Sequence, residues 1–107
     1  MPDDSPVLAT ITEMTAVSIS RSPLGARDHV MARLAALIAV GAPAGSYLLH
    51  IGTAAEAGIT LDDVQGVLIA VAPIVGTPRI ASAAAHIAKA LGVAIELAEA
   101  DLGADTE

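Results

Sequence analysis

Three side chains that can donate or exchange protons lie close together near the middle of the chain. A helix would place His50 four residues after Ser46 and three after Tyr47, so that all three share one face. An imidazole can move a proton near neutral pH, and a hydroxyl can stabilise a developing oxyanion. His50 is therefore the candidate catalytic residue, with Ser46 and Tyr47 as candidate substrate-binding residues. The alternative is a surface or core histidine without a catalytic role, whose ring is hydrogen-bonded to a nearby hydroxyl or carbonyl group.

A second group of polar residues follows the Thr-Pro pair at 77–78. Arg79, Ser82 and His86 share a stripe of the helix that this pair predicts. A cation in the first turn of a helix opposes the helix dipole, so Arg79 is expected to pair with an anion such as a substrate carboxylate. His86 would extend the same substrate-binding site. The alternative is a solvated stripe with no role.

Other kinds of chemistry are disfavoured by what the sequence lacks. There is no cysteine, which removes disulfides, thiol nucleophiles and thiolate metal sites. His29, His50 and His86 fall on three different predicted helices, so no metal site is expected. The sequence contains no GxSxG turn and no glycine-rich phosphate loop.

The elements that must position these residues are predicted to be helices. Residues 1–24 are interpreted as an arm with at most a short helix, and 96–107 as an acidic tail. The domain between them, 25–95, carries helical periodicity with breaks at Gly41, Gly58 and Gly92 and a capping pattern at Thr60 and Asp63. Residues 93–102 could add a short helix. The pattern predicts an all-α bundle of about five to six helices.

Each predicted helix has an apolar face that the bundle should bury. The helix of residues 61–75 also carries Ile69 and Ile74 off its main stripe, so it should be buried on several sides. The predicted buried residues are Val30, Leu34, Leu37, Ile38, Leu48, Ile51, Ala55, Leu61, Val64, Leu68, Val71, Val75, Ile80, Ala84, Ile87 and Leu91.

Composition constrains the partners of this domain. Hydrophobic residues make up 54% of the chain, and one subunit of this size cannot bury them all, so a homo-oligomer is expected. The net charge of −7 and the single aromatic residue argue against nucleic-acid binding. The acids concentrate in 1–13 and 96–107, either to keep the chain soluble or to dock a basic partner. With no signal sequence or long uncharged apolar run, we expect a cytoplasmic protein without a membrane span.

The order of several short segments resembles the carboxymuconolactone decarboxylase family, which includes the AhpD-like alkylhydroperoxidases. The similar segments lie within about residues 26–92. They are RLAALIAVG at 33–41, LHI at 49–51, AEAGIT at 55–60, DDV at 62–64 and GTP at 76–78.

This resemblance implies an all-α trimer or hexamer and, for the decarboxylase members, a cofactor-free reaction on a small unsaturated lactone bearing carboxylates. The peroxidase members use two cysteines and a histidine. His50 matches that histidine, but Pro43 and Ser46 stand at the cysteine positions, and the position of the upstream glutamate falls near Met31. The resemblance therefore favours a cofactor-free decarboxylase or isomerase using His50, while thiol peroxidase activity is not expected. The alternative is a non-catalytic module that binds a small ligand or assembles.

Overall fold

The described residues of the chain form five helices. The computed structural model describes the backbone of residues 5–105 and the side chains of residues 5–100. Within that range no strand occurs, which confirms the all-α prediction. The helices are α1 (Pro6–Arg21), α2 (Ala26–Val40), α3 (Ala44–Glu56), α4 (Leu61–Val75) and α5 (Thr77–Asp105).

The boundaries of α2, α3 and α4 lie where the sequence predicts them. α2 ends at Gly41, whose φ of 73° is the left-handed conformation that glycine adopts without steric cost. α4 begins with a capping box: the Asp63 amide donates to Thr60 Oγ1 at 3.1 Å, and the Thr60 amide donates to Asp63 Oδ2 at 2.8 Å. These caps satisfy backbone groups that a helix end would otherwise leave unpaired.

The predicted break at Gly92 is wrong. α5 runs without interruption from Thr77 to Asp105, and Gly92 is not among the glycines with positive φ. A glycine inside a helix costs only about 1 kcal/mol relative to alanine, and the neighbouring residues are good helix formers with no proline after them. Part of the predicted acidic tail is therefore helical. Its side chains beyond Ala100, and residues 1–4 and 106–107, lie outside the described residues.

The amino-terminal arm contains a full helix of 16 residues, so the prediction of at most a short helix is wrong. Its Thr and Ser residues have modest helix propensity because their hydroxyls usually compete for backbone groups. Here Thr10 donates to the Pro6 carbonyl at 2.8 Å and Thr12 to the Leu8 carbonyl at 2.9 Å. These bonds form inside the helix, and Pro6 fits the first turn because it needs no amide donor there.

The core lies within the unit formed by α2 to α5, where α3 packs on α5, α2 on α4, and α2 and α4 also contact α5. Ile38 is fully buried and Tyr47 is nearly so. On α5 the buried positions are Ala83 and Ala90, whose small side chains allow close approach of α3. Ala55, Leu61 and Ala84, which were predicted to be buried, are exposed.

Much apolar surface remains uncovered in the single chain. No residue of α1 is buried, and its apolar residues are half exposed or more. On α4, Ile69 and Ile74 are 73% and 87% exposed, so α4 is not buried on several sides as predicted.

Among the described residues, one helix meets the length and hydropathy of a membrane span, namely Thr77–Ala100 of α5, with a mean hydropathy of 1.5. This segment was not predicted from the sequence because it contains charged residues. In the described fold this helix packs against α3, α4 and α2.

Candidate functional site

A cavity of about 240 Å³ lies between α2, α3, α4 and α5 and is partly open to solvent. Most of its wall is aliphatic, including Val30, Leu34 and Leu37 of α2, Val64 of α4, and Ile87 and Leu91 of α5. These residues were predicted as parts of buried helix faces. The structure shows that together they line an apolar space large enough for a small molecule.

His50 lies in the wall of this cavity, with one ring nitrogen already engaged. Its Nδ1 is 2.8 Å from the Ser46 carbonyl oxygen, one helical turn earlier. Because a carbonyl oxygen only accepts, Nδ1 carries the hydrogen, and in the neutral ring Nε2 is left as a hydrogen-bond acceptor. Among the described residues, no group bonds Nε2. The local helix thus fixes the tautomer that presents a basic nitrogen.

Tyr47 and Ser46 contribute differently from what the sequence predicts. The Tyr47 ring lines the cavity, but its hydroxyl is enclosed and has no hydrogen-bond partner in the described structure. Burial raises the pKa of Tyr47, so the hydroxyl stays protonated at neutral pH. Ser46 acts on His50 through its backbone carbonyl, and its side chain is not part of the cavity wall. The structure therefore brings together Tyr47 and His50 from the predicted site.

The turn between α3 and α4 contributes Ile59 and Thr60 to the cavity wall, and Arg27 holds this turn. Arg27 donates to Asp63 Oδ1 at 2.6 Å and to the Gly58 carbonyl at 3.1 Å, and we call these bonds the Arg27 contact. The hydrogen bond from Arg27, followed by that from Thr60, lowers the pKa of Asp63 to about 2. Both charged groups are thus used to join α2 to the start of α4. This role of Arg27 was not predicted from the sequence.

Arg79 does not lie in the cavity. Its Nη1 donates to the Ala39 carbonyl oxygen at 2.7 Å, which we call the Arg79 contact, and its neighbours are Gly41 and Ser82 at a shallow surface groove. In place of the expected anion, this cation meets the negative, carboxyl-terminal end of the α2 dipole. The structure does not bring Arg79 to His50.

The other histidines lie away from the cavity wall. His86 is half-buried, and its Nδ1 is buried without a hydrogen-bond partner in the described structure. His29 Nε2 is in the same condition. Among the described residues, no three His, Cys, Asp or Glu side chains are grouped closely enough to hold a metal ion.

The sequence of this chain matches a known protein family. A family model described as the carboxymuconolactone decarboxylase family matches residues 5–90. The chain belongs to this family. The match confirms the resemblance seen in the sequence, and it begins earlier than the predicted limit of about residue 26, so it includes α1. No curated protein and no solved structure matches the chain.

Membership in the carboxymuconolactone decarboxylase family does not by itself specify an activity or a substrate. The chain lacks every cysteine, so it is a family member without the paired cysteines of the peroxidases. The cavity itself was not predicted from sequence. Its aliphatic lining residues belong to separate apolar stripes on α2, α4 and α5, and no local sequence pattern indicates that these stripes leave a space between them.

Proposed function

We propose that this protein binds a small organic molecule in the cavity and moves a proton on it without a cofactor, as an isomerase or decarboxylase. The observation that carries this proposal is the His50 ring, which is held by Ser46 through Nδ1 and has Nε2 free in an apolar wall. The aliphatic side chains around this base offer it no competing hydrogen-bond partner. Catalysis by such a positioned base contributes typically 10²- to 10⁴-fold in rate.

For an isomerisation, His50 would act first as a base and then as an acid. Nε2 takes a proton from the carbon between the carbonyl group and the β,γ double bond, and the electron pair of the broken C–H bond moves into a dienolate. The protonated ring then returns the proton to a different carbon, so atoms and charge balance with no further reactant. For a decarboxylation, only the second half is needed, because loss of CO₂ generates the enolate.

The test follows both reactions in one experiment. A β,γ-unsaturated five-membered lactone is incubated with the protein in D₂O, and NMR reports conversion to the conjugated isomer and deuterium incorporation. A carboxylate-bearing lactone is assayed in parallel for CO₂. We expect His50→Ala to lower turnover at least a hundredfold and Leu49→Ala, at an exposed neighbour on α3, to leave it unchanged. Equal turnover in wild type and His50→Ala, or none in either, would contradict the proposal.

The alternative is a module that binds a ligand without changing it. This is favoured by the enclosed Tyr47 hydroxyl, because no other donor in the cavity wall is available to stabilise an enolate. Saturable binding of the lactone, with neither isomer nor deuterium formed, would support the alternative over the enzyme.

We propose in addition that the protein is a homo-oligomer, a trimer or a hexamer. The chain exposes 7156 Å², whereas a compact chain of 10.6 kDa exposes roughly 5,500 Å². The difference, roughly 1,700 Å², is about what one subunit buries in two ordinary interfaces, as in a cyclic trimer. The uncovered apolar faces of α1 and α4 would supply this area. Light scattering that gives a monomer at micromolar concentration would contradict it.

A further inference from the structure

We infer that the cavity selects neutral molecules and rejects carboxylates. This inference rests on the isomerase form of the proposed function, because a decarboxylase must bind a carboxylate. It names the substrate class for the same site: a small, mainly apolar, uncharged compound with at most one hydrogen-bond donor, directed at His50 Nε2. It differs from what the family resemblance implies, which is a lactone bearing carboxylates.

The first argument is the placement of charge around the cavity. No charged side chain is part of its wall, although α2, α4 and α5 each carry charges. Arg27 and Arg79, which could otherwise bind an anion, are hydrogen-bonded elsewhere, Arg27 to Asp63 and Gly58, and Arg79 to Ala39. A carboxylate in this cavity would lose its water without gaining a cation or a set of donors, which is strongly unfavourable.

The second argument is the number of polar atoms that a ligand could reach. The wall contains three polar side chains, and two of them are not available. The Tyr47 hydroxyl is enclosed, and the Thr60 hydroxyl both accepts from the Asp63 amide and donates to the Asp63 carboxylate. His50 Nε2 is left as an acceptor, which suits one hydroxyl group or one acidic C–H.

The third argument is size. An apolar cavity of about 150 Å³ accommodates benzene, so about 240 Å³ in this protein admits a molecule of roughly ten non-hydrogen atoms. The expected ligand is therefore no larger than about ten non-hydrogen atoms, for example a single small ring with one polar substituent.

The experiment compares three probes of matched shape: toluene, p-cresol and 4-methylbenzoate. Binding to the whole protein is measured by NMR titration in a buffer where free imidazole is neutral. We expect p-cresol to bind roughly three- to tenfold more tightly than toluene because of one hydrogen bond to Nε2. We expect 4-methylbenzoate to bind at least about a hundredfold more weakly than p-cresol.

Two variants attribute these differences to the proposed atoms. His50→Leu should remove the preference for p-cresol and leave toluene binding in place, which also shows that the cavity remains folded. Leu49→Ala should change none of the three affinities. Binding of 4-methylbenzoate as tight as p-cresol, an unchanged preference in His50→Leu, or no binding of any probe would each overturn the inference. The lactone assay tests the reaction independently of this inference. Selective binding of the probes without proton transfer on the lactone would support this inference and contradict only the proposed reaction.

Discussion

The cavity and the two arginine contacts use polar groups in opposite ways. At the Arg27 and Arg79 contacts, each guanidinium group donates to a carboxylate or a carbonyl oxygen of another helix or turn. In the cavity, His50 keeps one nitrogen without a partner in the described structure and is surrounded by aliphatic side chains. The comparison shows that Arg27 and Arg79 join helices to one another, while His50 lies among aliphatic side chains with no charged neighbour in the cavity wall.

The same comparison explains how the wall of the cavity keeps its shape. The Arg27 contact fixes the turn before α4, and the Arg79 contact fixes the last turn of α2, so both ends of α2 are held. Four predictions separate these structural contacts from the cavity, from the largest expected effect to the smallest.

The largest effect is expected at Ile38, which is fully buried and stands between Leu37 in the cavity wall and Ala39 in the Arg79 contact. Ile38→Ala should lower the free energy of unfolding by roughly 3 kcal/mol, since it removes buried methyl groups and leaves a void. Chemical denaturation measures this. Leu49→Ala, at a side chain 79% exposed, is the control and should change stability by less than about 0.5 kcal/mol. Similar losses in the two variants would mean that the core is not where the structure places it.

The cap of α4 comes next, because Thr60 belongs both to the cavity wall and to the Asp63 interactions. Thr60→Ala should cost about 1 kcal/mol, since the Asp63 amide loses its acceptor. Thermal unfolding compares it with Thr53→Ala, at an exposed position inside α3, which should be neutral or slightly stabilising because alanine is the better helix former. A neutral Thr60→Ala would show that the capping box does not fix the turn.

Arg79→Ala should lower stability by roughly 0.5–1 kcal/mol, because the α2 carbonyl loses an exposed charged donor. Turnover and probe binding at His50 should not change. Lys89→Ala, which removes an exposed cation from the same helix, should alter neither property. A loss of lactone turnover in Arg79→Ala without a loss of stability would place Arg79 in the substrate site and break the comparison.

The smallest effect concerns acid. Asp63 has a folded pKa of about 2 against an ordinary value of 3.8, so its ionised form stabilises the folded state. This stabilisation is complete above about pH 4 and is lost as the pH falls toward 2, where the folded carboxyl is protonated. Unfolding midpoints measured across this range should fall more steeply for wild type than for Asp63→Asn. Parallel curves would mean that the Arg27 contact does not form in solution.

The sequence predicted most of the fold because helix boundaries depend on local chemistry. The break at Gly41 and the Thr60 and Asp63 capping box each act within one turn, and both were confirmed. The predictions at Gly92 and in the amino-terminal arm were wrong for related reasons. Whether a glycine ends a helix, and whether Thr and Ser side chains bond within a helix or compete with it, depends on whether the neighbouring residues are themselves helical.

The candidate site was predicted only in part. His50 and Tyr47 were found because their spacing along one helix places them on one face. Arg79 was grouped with them by its chemistry alone, and its expected anionic partner was replaced by a backbone carbonyl forty residues earlier in the chain. Nothing local in the sequence indicates such a partner.

By itself, the sequence determined the helices, the absence of thiol chemistry and the presence of one well-placed histidine, since these follow from residue type and short spacing. Only the tertiary structure decided that the apolar stripes of four helices leave a cavity, and that the arginines are engaged outside it. These properties arise from contacts between residues distant in the chain, where packing and not local preference decides which groups meet.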